Sequence, residues 1–282
     1  MKNSIVFFLK DYEKNKLKNH HSMLYYALET LYKNIISDVE VIVFYDIKDV
    51  NEKYNLFKDF KKVNFINLNY KIKEKYQRMF YKWHCVDYLF QNLKYDCCLI
   101  LDVDVIFYDD LSFIFNKYND KNIFYCCLEN SPKEIKNIIN NKNSINGGQI
   151  LLSRNIYNKI KNIHDNLEKE KDKIENHINN NNYDYCYNWV IDDLIDQYAL
   201  NNLLCNKNIE IQIFESKDIS FGVDASYVNV LNNNIDIKSR TKLLHYFSTF
   251  SYIFLPDNML TNEMKIARNK KINQNKIKEY WK

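Results

Sequence analysis

Strand-length apolar runs alternate with segments of helical spacing along the first hundred residues. That alternation predicts an α/β fold: a mixed, mainly parallel sheet flanked by helices. Two further observations support it. The run Tyr95–Phe107 is an apolar strand that delivers two carboxylates, Asp102 and Asp104, and then turns apolar again. In open α/β sheets, ligands gather at the carboxyl ends of strands. Glycine is scarce, with three in the chain, yet Gly147 and Gly148 are adjacent, which suits a place where backbone approaches something closely.

The elements follow in order. Ser4–Leu9 is an apolar run of strand length. His20–Lys33 carries Met23, Leu24, Ala27, Leu28 and Leu31 at helical spacing. Val39–Tyr45 and Val63–Leu68 read as strands, Glu74–Phe90 as a long helix, and Cys97–Leu101 as the strand before the carboxylates. Asp110–Phe115 predicts a short helix and Asn122–Leu128 another strand. A polar stretch, Asn137–Asn146, leads through Asn146–Gly147–Gly148 into the strand Ile150–Ser153. Arg154–Leu167 reads as a helix, and Glu168–Asn182 as a charged connection. Trp189–Asn201 predicts a helix with an acidic face, Ile209–Phe214 and Ile219–Val223 short strands, and Leu243–Phe247 an apolar run holding His245. The division expected is one domain over residues 1–255 and a basic helical tail over 256–282.

Composition narrows the function. With 46% apolar and 15% aromatic residues, the core is substantial. A net charge of +4, with no basic block interleaved with stacking aromatics, argues against nucleic acid. Seven cysteines without a C-x-x-C pair argue against zinc and against a disulfide framework. There is no G-x-G-x-x-G after the first strand, so a dinucleotide fingerprint is absent. The apolar start is too short for a signal core, and no stretch reaches the roughly 18 apolar residues of a membrane span. The expectation is a cytoplasmic protein without a transmembrane segment, with peripheral membrane association open to its basic tail.

Two carboxylates do not end a buried strand without partners, because dehydrating each costs several kcal/mol. Side chains at i and i+2 of an extended segment point the same way, so Asp102 and Asp104 aim at one point. Hard oxygen donors of this kind suit Mg²⁺ or Mn²⁺, above all when diphosphate oxygens complete the shell. Arg78 and Lys82 are four apart on one helix face and suit phosphate or an acidic group.

In this order the segments resemble a GT-A-fold glycosyltransferase (Rossmann-like), nearest to glycosyltransferase family 8. The likeness spans most of the chain up to His245. It rests on Arg78–Trp83 leading to Leu101–Asp102–Val103–Asp104–Val105, on Asp110–Leu111 with Ile114–Phe115, on Asn146–Gly147–Gly148, on Asp196–Gln197–Tyr198–Ala199–Leu200–Asn201, and on Leu243–Leu244–His245–Tyr246. The resemblance implies a nucleotide-sugar donor, UDP-linked by family weight, and a glycan, protein or lipid-linked acceptor. It implies Mn²⁺ or Mg²⁺ held by Asp102, Asp104 and His245. It implies donor contacts from Tyr12, Arg78, Lys82, Asp102, Val103, Asn146, Gly147 and Gly148. Asp196 would hold sugar hydroxyls and Gln197 would sit beneath the anomeric carbon, with Asp193 as a third catalytic candidate; that set leans towards retention. The family's lysine after its histidine is missing, since Phe247–Ser251 follows instead. Diphosphate then falls to the metal, Lys242, Arg78 or Lys82. Two other readings stand beside this one: a degenerate transferase acting as a sugar-binding or scaffold module, and a nucleotidyltransferase. The latter wants glycine in the loop after strand one, and Leu9–Lys18 has none.

Overall fold

The computed structural model describes residues 2–10, 20–34, 39–46, 56–70, 76–129, 144–180, 194–221, 226–231, 234–239, 241–246 and 255–273. Twelve strands are described: β1 (Asn3–Lys10), β2 (Glu40–Asp46), β3 (Val63–Asn67), β4 (Cys97–Leu101), β5 (Val105–Phe107), β6 (Ile123–Glu129), β7 (Ser144–Ser153), β8 (Glu210–Ile213), β9 (Ile219–Phe221), β10 (Ser226–Leu231), β11 (Asn234–Ser239) and β12 (Leu243–His245). Eight α-helices go with them: α1 (His20–Asn34), α2 (Leu56–Asp59), α3 (Gln77–Tyr88), α4 (Ile114–Lys117), α5 (Arg154–Lys159), α6 (Ile163–Asn180), α7 (Ile195–Asn206) and α8 (Asn262–Asn273).

The central sheet has seven strands in the order β3-β2-β1-β4-β7-β6-β8. It is mainly parallel and flanked by helices, as the alternation predicts; β6 runs antiparallel to β7 and parallel to β8. Central strands are apolar on both faces because both faces are covered. Ile5, Val6, Phe7 and Leu9 of β1 and Cys98–Leu101 of β4 are fully buried, whereas edge strand β8 leaves Ile213 half exposed.

By contacts the chain divides into two compact units: Met1–Val6 with Ile66–Ile100 and Phe115–Ile213, and Phe7–Phe65 with Leu101–Ile114 and Phe214–Lys282. In the first, α3 buries Phe80, Tyr81, Trp83, Cys85 and Val86, then widens into a π-helical turn over Leu89–Leu93. Lys94, in the left-handed region at φ 57°, ends it. The other left-handed positions described are Asn69, Asn162 and Asn208, so asparagine fills places that glycine takes in most chains.

The helix expected over Arg154–Leu167 is two helices. Ser153 caps α5 by accepting from Ile156 N at 3.2 Å, and the chain breaks at Asn162. Asp87, reaching from α3, then accepts from Ile163 N at 2.9 Å and His164 N at 3.0 Å and starts α6. The Glu168–Asn182 connection is helix as far as Asn180. Ile163, Leu167, Ile174 and Ile178 form a buried stripe, and the Lys173–Glu170 and Lys171–Glu175 pairs lie at helical spacing. Charge density hid that stripe in the sequence.

In the second unit, α1 buries Met23, Leu24, Ala27, Leu28 and Leu31. It fixes β5 by its polar residues: Phe107 N donates to Thr30 Oγ1 at 3.2 Å, and Asn34 Nδ2 donates to Phe107 O at 2.8 Å. Strands β5, β12 and β9 form a separate sheet, with β12 in the middle, antiparallel to β5 and parallel to β9. The β10–β11 hairpin between β9 and β12 was not expected from the sequence; its strands pair from Ser226↔Ser239 to Leu231↔Asn234. Along 255–273, Leu255 and Met264 are buried and Ile266 is exposed. Among the described residues no helix is long and apolar enough to cross a membrane. The described cysteines are free thiols, and burial pushes Cys97 and Cys127 up to about 12.

Candidate functional site

The site residues that the structure describes fall into two sets, one in each unit. The first is Asp102, Asp104 and His245. The Asp102–Val103–Asp104 triplet bends between β4 and β5 and is not the extended segment that the i, i+2 argument assumes. Its carboxylates converge by another route. Strand β12 pairs with β5 so that His245 lies opposite Val105, and Tyr246 N donates to Asp104 O at 3.0 Å. Main-chain pairing thus brings the imidazole to the triplet. His245 Nε2 lies 2.9 Å from Asp104 Oδ1, and one ligand atom from each of the three residues lies within 4.8 Å of the others.

Asp104 and His245 are 8% and 4% exposed, so the low-dielectric surroundings magnify their interaction. Burial alone raises the Asp104 carboxyl. The charge and hydrogen bond of His245, with His20 nearby, outweigh burial and hold it below its ordinary value. An ionised carboxylate, a second half-buried carboxylate and an imidazole form a mixed oxygen–nitrogen set that fits a divalent cation. Among the described residues this is the one cluster of its kind. Val103, between the two carboxylates, is buried. Lys242 Nζ lies 2.9 Å from Asp109 Oδ2 and 4.7 Å from the centre of the Phe113 ring.

The second set joins α3, β7 and α7. Asn146–Gly147–Gly148 lies inside β7, not ahead of it. The β6–β7 register shifts between Cys126 and Leu128, whose partners are Ile150 and Ile145, so four residues of β7, Asn146 to Gln149, stand opposite one of β6. Gly147 N donates to Gln197 Oε1 at 2.6 Å, and Gly148 N donates to Asn146 Oδ1 at 2.8 Å. Lys82 Nζ donates to Gly147 O at 2.8 Å, and Trp83 Nε1 donates to Asp196 Oδ2 at 3.1 Å. A backbone N–H can only donate, so the Gly147 contact fixes the Gln197 amide with its oxygen inward. Gly147 sits close to α7: a Cβ there would stand 3.1 Å from Gln197 Cγ, so that side chain would have to give by a few tenths of an ångström, and 3.5 Å from Asp196 Oδ2, an ordinary contact. Asp196, Gln197 and Asn146 are all buried.

The other expected site residues are placed as follows. Tyr12 and Asp193 lie outside the described residues, as does the Arg78 side chain. Trp83 and His20 were not among the candidates. Trp83 read as one more apolar residue on a helix face, although a buried indole N–H always needs an acceptor; nothing in the sequence marked His20.

No family model matches the chain, and no curated protein matches it. Solved structures do. An active-site mutant of LgtC superposes with a TM-score of 0.52 at 15% identity, over 86% of each chain. Mouse xyloside xylosyltransferase 1 in its apo form superposes at 0.51 and 9% identity, over 86% of this chain and 97% of that one. LgtC in complex with donor and acceptor sugar analogues is named a galactosyltransferase; it superposes at 0.49 and 15% identity, over 77% of this chain and 75% of that one. At these identities the likeness speaks for architecture, and the architecture of this chain is the GT-A fold of glycosyltransferases.

Proposed function

We propose that the chain is a metal-dependent glycosyltransferase that moves a sugar from a nucleoside-diphosphate donor, a UDP-sugar, to an acceptor hydroxyl with retention. The observation that carries this is the convergence of Asp102, Asp104 and His245 in a chain of GT-A fold. These three residues would hold Mn²⁺ or Mg²⁺; the bound cation supplies Lewis-acid stabilisation of the departing diphosphate. Lys242, Arg78 and Lys82 are the candidates for further positive charge on a diphosphate.

The second set suits a sugar. Asp196 is a carboxylate for accepting hydrogen bonds from hydroxyls. Gln197 has its oxygen committed to Gly147 N, so its amide nitrogen remains as a donor to the ligand. A reaction without a strong base beside the anomeric carbon would run with retention. The acceptor carries a hydroxyl, whether on a glycan, a protein or a lipid-linked sugar.

The test is a screen of nucleotide sugars for thermal shift and slow donor hydrolysis, with Mn²⁺ and then with EDTA. A manganese-dependent shift and hydrolysis with one donor, both erased by EDTA, is the expected result. A folded protein silent to every donor would transfer weight to a sugar-binding or scaffold module.

A further inference from the structure

The geometry points to Trp83 as a positioning residue for this reaction, acting through Asp196, with Lys82 as its companion on Gly147. The inference rests on the glycosyltransferase reading above. Trp83 is fully buried, and its indole is a donor with no capacity to accept. Its Nε1–H donates to Asp196 Oδ2 at 3.1 Å, on a carboxylate that is itself only 3% exposed. A buried carboxylate keeps its charge when donors aim at it, and a donor-only partner also holds it in one rotation.

The neighbouring residue does the parallel work on the strand. Lys82 donates to Gly147 O, and Gly147 N donates to Gln197 Oε1. Consecutive residues of a helix diverge by about 100°. Lys82 and Trp83 can therefore reach two different elements, β7 and α7. The contacts close a ring: Lys82 to Gly147, Gly147 to Gln197, and Asp196, next in chain to Gln197, back to Trp83. The separation between the Asp196 carboxylate and the bulged strand is thus set from α3. Phenylalanine at 83 keeps most of the ring volume and loses this donor.

The experiment compares wild type, Trp83→Phe, Asp196→Ala and the double variant in manganese-dependent transfer. Trp83→Phe should lower kcat about tenfold, leaving donor KM within about twofold and the manganese-induced thermal shift intact. In the Asp196→Ala background the same change should cost nothing further, because its effect passes through the carboxylate. A wild-type kcat in Trp83→Phe, or a full additional loss in the double variant, would overturn the proposal.

A second measurement does not need turnover or a folded Trp83 variant. The chain has three tryptophans, so the Trp83 indole ¹H–¹⁵N resonance can be assigned and followed. It should move upfield in Asp196→Ala; an unmoved resonance would overturn the contact. An active wild type with an indifferent Trp83→Phe overturns this inference alone. A wild type inert to all donors overturns the glycosyltransferase reading together with it.

Discussion

The Asp102–Asp104–His245 cluster and the Gly147 cluster are assembled by opposite means. In the first, strand pairing does the placing. Tyr246 N on Asp104 O and the His245↔Val105 register bring distant segments together, and the side chains then meet. In the second, the strand is bulged, and side chains of α3 and α7 hold the main chain of β7 through Lys82 and Gln197, with Gly147 closely approached by Gln197. Truncating a ligand in the first set should erase its chemistry and leave its geometry standing. Small changes in the second should shift the geometry itself.

The largest effect expected is that of Asp104→Ala. Transfer should fall by at least about 10³-fold and the manganese-induced thermal shift should vanish, with circular dichroism unchanged. A variant active with Mn²⁺ would break the metal assignment. Next is Gly147→Ala, where the 3.1 Å approach to Gln197 Cγ forces a shift. It should cost about 10- to 100-fold in kcat while the manganese shift survives. Loss of both would show that the two sets are not separable.

Asp87→Ala tests a residue outside both sets. It removes the acceptor for Ile163 N and His164 N at the start of α6, and should cost about 1–2 kcal/mol in denaturant unfolding with unchanged metal response. The smallest effect concerns acid. Asp104 has a folded pKa below its ordinary 3.8, so its stabilising contribution is complete above that value and is lost as pH falls through the lowered one. Thermal melts from pH 7 to pH 3 should show an acid-side loss in wild type that is smaller in Asp104→Asn.

Much of this was legible because it lay in local pattern. The apolar runs of β1, β2 and β4 mark central strands, and Asp102 and Asp104 stand out as carboxylates where a buried strand ends. His245 was legible only by resemblance, since an imidazole in a short apolar run has no pattern of its own. The contacts of Lys82 and Trp83 were not legible. That of Lys82 reaches the bulged part of β7, a register event between β6 and β7 that neither strand encodes alone, and that of Trp83 reaches Asp196 on α7. Helix α6 was missed for a different reason: its buried stripe is spaced among charges that pair along its own surface.

The β5–β12 pairing has a consequence for how such a centre can change. Position 245 is addressed by main-chain hydrogen bonds, which are indifferent to the side chain they carry. Under the proposed metal assignment, the place of the third ligand and its chemical identity are therefore separate variables. Histidine could be exchanged for aspartate or asparagine with the address intact, retuning the preference between a softer and a harder cation by a single substitution. The scaffold works as a socket whose contact can be swapped without rewiring the frame.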